Sequence, residues 1–454
     1  MGRTTRTVRA RRAEASVPAA RASWRNDGFT LIPARGYPSG VIPKLVGALG
    51  LLCFLGLAWL LSDGRRRFPW RVVLWGLGLQ VAFAALILRT GAGRAVFDGF
   101  QMAVTRFIGF AGQGNELAFG VLGNPVVMES KLGAGTGVIL AITVTGTIVL
   151  ISAVASLLYH YGILQWVVRG MAWVMRRAMG TSGSETLSAA ANIFMGQTEA
   201  PLLIRPYLAR MTRSELFAMM VGGMATIAGG VLAAYVSFGI EAGHLLTASV
   251  LSAPAGLMVA KVMVPETEAS ETAGGARAAV ERETVNGMDA LCHGAADGMR
   301  LSINVVAMLI AFAAVIAAAN GMLSTGLGWA GFVVEAPLQR FLGWVNAPVA
   351  WLMGVPWKDC DVVGAVLGER VVLNEFVAYL RLRDVAGQIE PRSRVLATYA
   401  LCGFANMGSV AIQIGGIGGL APGRRQDLAR LGLRSMVGGL LACYMTACVA
   451  GWFV

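Results

Sequence analysis

The stretch Ala189-Ala190-Ala191-Asn192-Ile193-Phe194-Met195-Gly196-Gln197-Thr198-Glu199-Ala200-Pro201-Leu202-Leu203-Ile204-Arg205-Pro206-Tyr207 is apolar enough for a bilayer, yet amides, a carboxylate and prolines interrupt it in mid-run. Backbone that breaks its own helical pairing is tolerated at membrane depth only where protein or a water-filled cavity surrounds it. The segment 184–207 therefore reads as a re-entrant hairpin. A second apolar segment, 362–382, is interrupted in the same way by Asn374 and Glu375.

The rest of the chain supplies the membrane that this reading needs. Of 454 residues, 56% are hydrophobic and 14% charged, with a mean hydropathy of +0.63. A soluble chain carries about 25% charged residues, so too little polar surface remains here for water. The 59 glycines fit helices that pack closely or break inside a bilayer. The net charge of +13 falls in short clusters at the ends of apolar runs, among them Arg65–Arg67, Arg176–Arg177 and Arg424–Arg425. That is the positive-inside pattern. A nucleic-acid groove would instead need a basic face with interleaved exposed aromatics. Six cysteines and three histidines show no metal-ligand spacing, and the cysteines read as buried thiols.

At roughly 20 residues per crossing, spans are expected near 41–61, 71–89, 137–160, 214–239, 244–264, 300–323, 396–414 and 432–453. The fold class is thus an all-α polytopic membrane protein with about eight transmembrane helices and two re-entrant hairpins. Amphipathic segments near 92–112 and 163–178 are expected to lie along the membrane surface. In the second, Ile163, Trp166, Val167, Met171, Trp173 and Val174 oppose Arg169, Arg176 and Arg177. With residue 41 outside, most arginine clusters and the 265–299 loop fall inside, against two misfits, the N-terminus and the 381–394 loop. Residues 1–40 hold eight arginines, two acids and no long apolar run. They read as a disordered tail or as a misplaced start, with the chain proper beginning near Val41.

Each half contains a hairpin with an Asn and a Glu, followed by a helix with a small, polar middle: Thr226 to Gly230, and Asn406 to Ser409. Paired broken segments in corresponding halves are the mark of an internal inverted repeat with a substrate site near the midplane. Intramembrane acids are functional by default, so Glu199 is read as facing a ligand ahead of pairing with Arg205. Gln197 and Thr198 beside it offer donors and acceptors to a neutral, hydrogen-bond-rich solute. Glu375 accepts two hydroxyl hydrogens at once and suits the vicinal hydroxyls of a sugar. Asn406 and Ser409 share a helix face and complete that ring, and Phe404 offers an aromatic wall to a flat base. Asn192 and Thr226 have the oxygens of an alkali-cation site, but the residues alone support a packing role for Thr226 equally.

The quoted stretch resembles the signature of the concentrative nucleoside transporters. So do Val372 to Tyr379, and Leu401 to Asn406 running on to Ser409–Ile412. The resemblance extends from about residue 41 to the C-terminus. It implies a homotrimer in which each protomer has a scaffold domain and a transport domain that moves like an elevator. It divides the chain into N-terminal scaffold and interfacial helices (41–178), a first transport half (179–265), a loop with interfacial and scaffold helices (266–355) and a second transport half (356–454). By motif, Gln197, Thr198 and Glu199 would contact the base between Val231 and Phe404. Glu375, Asn406 and Ser409 would hold the ribose. The side chains of Asn192 and Thr226, with the carbonyls of Met195 and Ile227, would coordinate Na⁺. Thr226 stands where relatives often have Ser, and it keeps the hydroxyl.

The function implied is import of nucleosides (the uridine, cytidine and adenosine class) across a bacterial inner membrane, coupled to Na⁺, by a multi-pass protein that is not an enzyme. Some bacterial relatives use H⁺ instead. A non-transporting nucleoside-binding membrane protein is the alternative from another class. No prosthetic cofactor and no nucleic-acid partner is expected.

Overall fold

The computed structural model describes residues 40–133, 139–276, 284–329 and 331–454, and among them there are helices and no strand. The expected N-terminal tail lies outside the described residues. In chain order the helices are α1 (Val41–Leu60), α2 (Trp70–Arg89), α3 (Gly91–Phe119), α4 (Pro125–Leu132), α5 (Leu140–His160), α6 (Ile163–Met179), α7 (Gly183–Ala191), α8 (Arg205–Leu208) and α9 (Arg213–Ala225). They continue with α10 (Gly229–Ser237), α11 (Ala242–Met263), α12 (Gly287–Trp329), α13 (Pro337–Leu352), α14 (Cys360–Val372), α15 (Glu375–Asp384), α16 (Pro391–Leu401), α17 (Met407–Leu420) and α18 (Arg425–Ala450).

Among the described residues, seven segments are long and apolar enough to cross a membrane. They divide by surroundings. The apolar windows of α9–α10, α11 and α18 are 83%, 89% and 78% buried, whereas those of α1, α2, α5 and α12 are 28%, 28%, 22% and 11% buried. The first set packs together as a core, and the second leaves its apolar flanks uncovered. Only the core set has protein on all sides, so only there can backbone break without exposing unpaired groups to hydrocarbon.

The breaks fall inside that core. Hairpin 1 runs from α7 through an irregular turn at 192–199 to a short 3₁₀ segment and α8. Its entry is set by a capping box, with Ser182 N–H donating to Glu185 at 2.7 Å. Buried Lys261 of α11 grips the same Glu185 at 2.7 Å, anchoring this arm. Hairpin 2 is α14 and α15, interrupted at Leu373–Asn374. The expected span at 214–239 is broken between α9 and α10 at Thr226–Ala228, where the small, polar middle was noted.

Four expectations need correction. The span placed at 396–414 is not one helix but two half-helices, α16 and α17, separated at Cys402–Asn406. The 265–299 loop is helical from Gly287 onward. At about 1.5 Å per residue the 43-residue α12 exceeds a ~30 Å hydrocarbon core. Its polar start packs on α5 through Gly294 and Gly298, whose missing side chains let the helices approach closely. On α6 the buried positions are Gln165, Val168, Met175 and Met179, while Trp166 and Trp173 are exposed beside Arg169. Tryptophan with arginine is the face an interfacial helix turns to headgroups, so the interfacial helix stands, but Trp166 and Trp173 share a face with Arg169 and do not oppose it. Of the cysteines, four are buried, but Cys53 and Cys292 are exposed.

Candidate functional site

The two broken helices cross at Gly403. A side chain there would begin 2.7 Å from the Met224 carbonyl and 2.8 Å from the Cys443 sulfur, so only glycine fits the crossing. One residue on, Phe404 N–H donates to the Thr226 carbonyl at 3.2 Å, joining the two breaks directly. Hairpin 1 reaches the same place from the other side, with Gly229 N–H donating to the Phe194 carbonyl at 3.0 Å. Three interruptions, far apart in sequence, thus satisfy one another's backbone groups.

Two helices that start near this crossing, α15 of hairpin 2 and α17, are preceded by asparagines. Asn406 caps α17 by accepting from Ser409 N–H at 2.8 Å, and Asn374 caps α15 by accepting from Val377 N–H at 2.9 Å. Both caps put positive helix ends at the crossing. Glu375, the first residue of α15, is buried there. Its Oε2 accepts from Asn406 Nδ2 at 2.7 Å and its Oε1 from the Tyr235 hydroxyl at 3.1 Å. An ionised carboxylate has about four acceptor positions, so both oxygens keep capacity for further donors. Asn406 therefore does two jobs: its oxygen caps a helix and its amide nitrogen fixes the carboxylate.

The other expected base-side residues lie along hairpin 1. Gln197 is buried, and its Oε1 has no partner among the described residues. It packs where α9 lacks a side chain, since a Cβ on Gly223 would meet Gln197 Cβ at 2.9 Å and Gln413 Nε2 at 2.8 Å. Thr198 rests its methyl over Gly416 of α17. Glu199 accepts from Gly196 N–H at 2.6 Å and remains exposed. Val231 is buried on α10 and Phe404 in the break between α16 and α17.

The expected cation set forms a neighbouring cluster. Asn192 follows the end of α7 and donates its Nδ2 to the Ser188 carbonyl at 3.0 Å. Its Oδ1, and the Ser188 hydroxyl, are buried without a partner among the described residues. Thr226 donates its hydroxyl to the Gly222 carbonyl at 2.9 Å. A Cβ on Gly222 would stand 3.5 Å from Asn192 Nδ2, so these two side chains flank the same glycine. Met195 and Ile227 are in the two breaks themselves. A buried carbonyl oxygen without a donor suits a bare cation, and the chemistry of this donor set fits Na⁺.

Comparison with known proteins shows the family of the chain. The models for the N- and C-terminal parts of "Na+ dependent nucleoside transporter" match residues 49–122 and 244–451, and a "Nucleoside recognition" model matches 141–242. An uncharacterized transporter of Haemophilus influenzae is 42% identical, over 90% of this chain and 98% of that protein. The sodium/nucleoside cotransporter 1 of Rattus norvegicus is 41% identical over 90% of this chain, which spans 63% of that longer protein.

The chain belongs to the Na⁺-dependent nucleoside transporter family.

Solved structures agree. CNTnw in an inward-facing substrate-bound state is 39% identical with a TM-score of 0.84, over 91% of this chain and 97% of that one. A doubly substituted form of CNTnw in an outward-facing state gives 0.86 at 39% identity, over 91% and 98%. The all-helical polytopic fold and the non-enzymatic class are those of this transporter family. The candidate site also contains residues that sequence reading passed over. Tyr235 holds Glu375 from α10, and its one signal was its place four residues after Val231 on the same helix. Gln413 bonds the Met220 carbonyl at 3.0 Å beside Gln197. Arg370 is a buried cation in an apolar run only five residues before Glu375, and that intramembrane charge was the available signal.

Proposed function

We propose that this protein is a secondary active symporter that imports nucleosides by coupling them to Na⁺ across a bacterial cytoplasmic membrane. The observation that carries the reading is the Glu375 carboxylate, buried at the meeting of hairpin 2 and the broken helix and held by neutral donors with acceptor capacity to spare. In the reading, Glu375, Asn406 and Ser409 bind the ribose. Gln197, Thr198 and Glu199 bind the base between Val231 and Phe404. Asn192 and Thr226, with the Met195 and Ile227 carbonyls, hold Na⁺. The backbone bond from Phe404 to Thr226 supports coupling, because it ties the ion cluster to the base wall.

The same reading assigns α7–α11 and α14–α18 to a transport unit and the more exposed α1–α6, α12 and α13 to a scaffold. The segments that carry these residues are broken helices within the well-buried core, and that supports a reading in which the whole unit moves across the membrane, as in an elevator. The poorly buried α12 is suited to lipid or to the other protomers of a homotrimer. Substrates of the uridine, cytidine and adenosine class meet the donor and acceptor pattern.

Equilibrium titration of purified protein with uridine and adenosine tests the site. Binding is expected to tighten at least tenfold when Na⁺ replaces choline, and Na⁺-independent affinity would contradict the coupling. Tyr235→Phe should weaken nucleoside affinity about tenfold without loss of folding. One hydrogen bond to a charged group contributes roughly 1.5–3 kcal/mol, and the phenyl ring keeps its packing against Phe376 and Tyr379. An unchanged dissociation constant in Tyr235→Phe would remove the hydroxyl from the site.

A further inference from the structure

Among the described residues, Arg370 heads the fully buried side chains in volume. It lies on α14, the first arm of hairpin 2, and reaches across to the broken helix. Its Nη1 donates to the Ala400 carbonyl at 2.5 Å. Its Nη2 donates to the Gly403 carbonyl at 3.1 Å and lies 3.3 Å from the Cys443 sulfur. Ala400 is in the last turn of α16 and Gly403 is in the break. These are the carbonyls that a helix end leaves without amides, at the negative end of its dipole. Among the described residues no carboxylate forms an ion pair with Arg370.

Burying a guanidinium carries a desolvation cost that apolar packing of the same volume avoids. What arginine adds over methionine is a planar fork that grips two carbonyls at once. The segment it grips, Gly403–Asn406, presents Phe404 and Asn406. At one end Arg370 holds Gly403, and at the other Asn406 meets Glu375 at 2.7 Å. Hairpin 2 and the broken helix are thus tied twice, on either side of Phe404. The first tie sets the spacing at which the second can form.

We propose that Arg370 is a positioning residue for the sugar subsite: by clasping Ala400 and Gly403 it holds Asn406 at the distance from Glu375 that vicinal hydroxyls require. The proposal rests on the nucleoside reading above. It implies that the loss on removing Arg370 is felt only by ligands that have those hydroxyls.

The test pairs Arg370→Met and Arg370→Lys with uridine and 2′,3′-dideoxyuridine, or the corresponding adenosine pair if the wild type prefers purines, in saturating Na⁺. Arg370→Met should raise the dissociation constant for the ribonucleoside at least tenfold and change that for the dideoxy analogue less than twofold. Arg370→Lys keeps the charge but reaches only one carbonyl, and should give a smaller rise, about threefold, with the same selectivity. If Arg370→Met does not fold, Arg370→Lys decides alone. Equal weakening of both ligands would reduce Arg370 to general packing and overturn the proposal, as would no weakening of either. Failure of the wild type to bind any nucleoside would instead overturn the functional reading beneath it.

Discussion

Glu375→Gln is expected to lower nucleoside uptake at least about a hundredfold while the protein stays folded. The carboxylate accepts from Asn406 and Tyr235 and, in our reading, from two ribose hydroxyls. Charge-assisted hydrogen bonds contribute roughly 1.5–3 kcal/mol each, so weakening the two to the sugar removes about 3 kcal/mol or more. The amide also brings an NH₂ group that faces donors. With its oxygen toward Asn406 Nδ2 and its NH₂ toward Tyr235, whose hydroxyl can rotate to accept, the amide keeps both holding contacts, so the loss falls on the bonds to the sugar. Folding has no reason to suffer, because a buried charge with its desolvation cost is gone. Uptake into proteoliposomes, normalised to folded protein, reads the loss, and thermal melting reads the fold. Wild-type uptake by Glu375→Gln would remove the carboxylate from substrate binding.

The second large effect is expected at the cation cluster. Asn192→Ala removes the buried Oδ1 that has no donor and the Nδ2 that steadies the Ser188 carbonyl. The half-saturating Na⁺ concentration for uptake should rise at least tenfold, while nucleoside affinity at saturating Na⁺ stays near that of the wild type. Thr226→Val, which keeps shape but loses the hydroxyl, should do the same, and Thr226→Ser should not. Because binding linkage is reciprocal, the same substitutions should reduce how strongly nucleoside tightens Na⁺ binding. An unchanged Na⁺ response in Asn192→Ala would take that residue out of the ion site.

Much of this architecture was legible wherever a break carries its own chemistry. Gln197, Glu199 and Pro201 announce hairpin 1, and Asn374 with Glu375 announces hairpin 2, because polar groups in apolar runs demand a reason. The break at Cys402–Asn406 announced itself far less. Its first residues, Cys402 and Gly403, look like any small, apolar pair in a span. It exists because α9 passes so close at Gly403 and because Arg370 takes up the loose carbonyls. Both causes lie in the tertiary structure. Tyr235 was hidden for the same reason, since its partner Glu375 is 140 residues away. The polar start of α12 does not look like a span, and it is helical because Gly294 and Gly298 let it lie against α5. On α6 the expected opposition failed because tryptophan and arginine share the face that an interfacial helix turns to headgroups, so Trp166 and Trp173 stand beside Arg169.

The central claim is that a Na⁺ gradient drives nucleoside accumulation through this site. The most direct measurement is uptake of labelled uridine and adenosine into proteoliposomes under an inward Na⁺ gradient or, separately, an inward H⁺ gradient. The account predicts accumulation above equilibrium with Na⁺ and none with H⁺ alone. Accumulation driven only by H⁺, or binding without accumulation under either gradient, would contradict it.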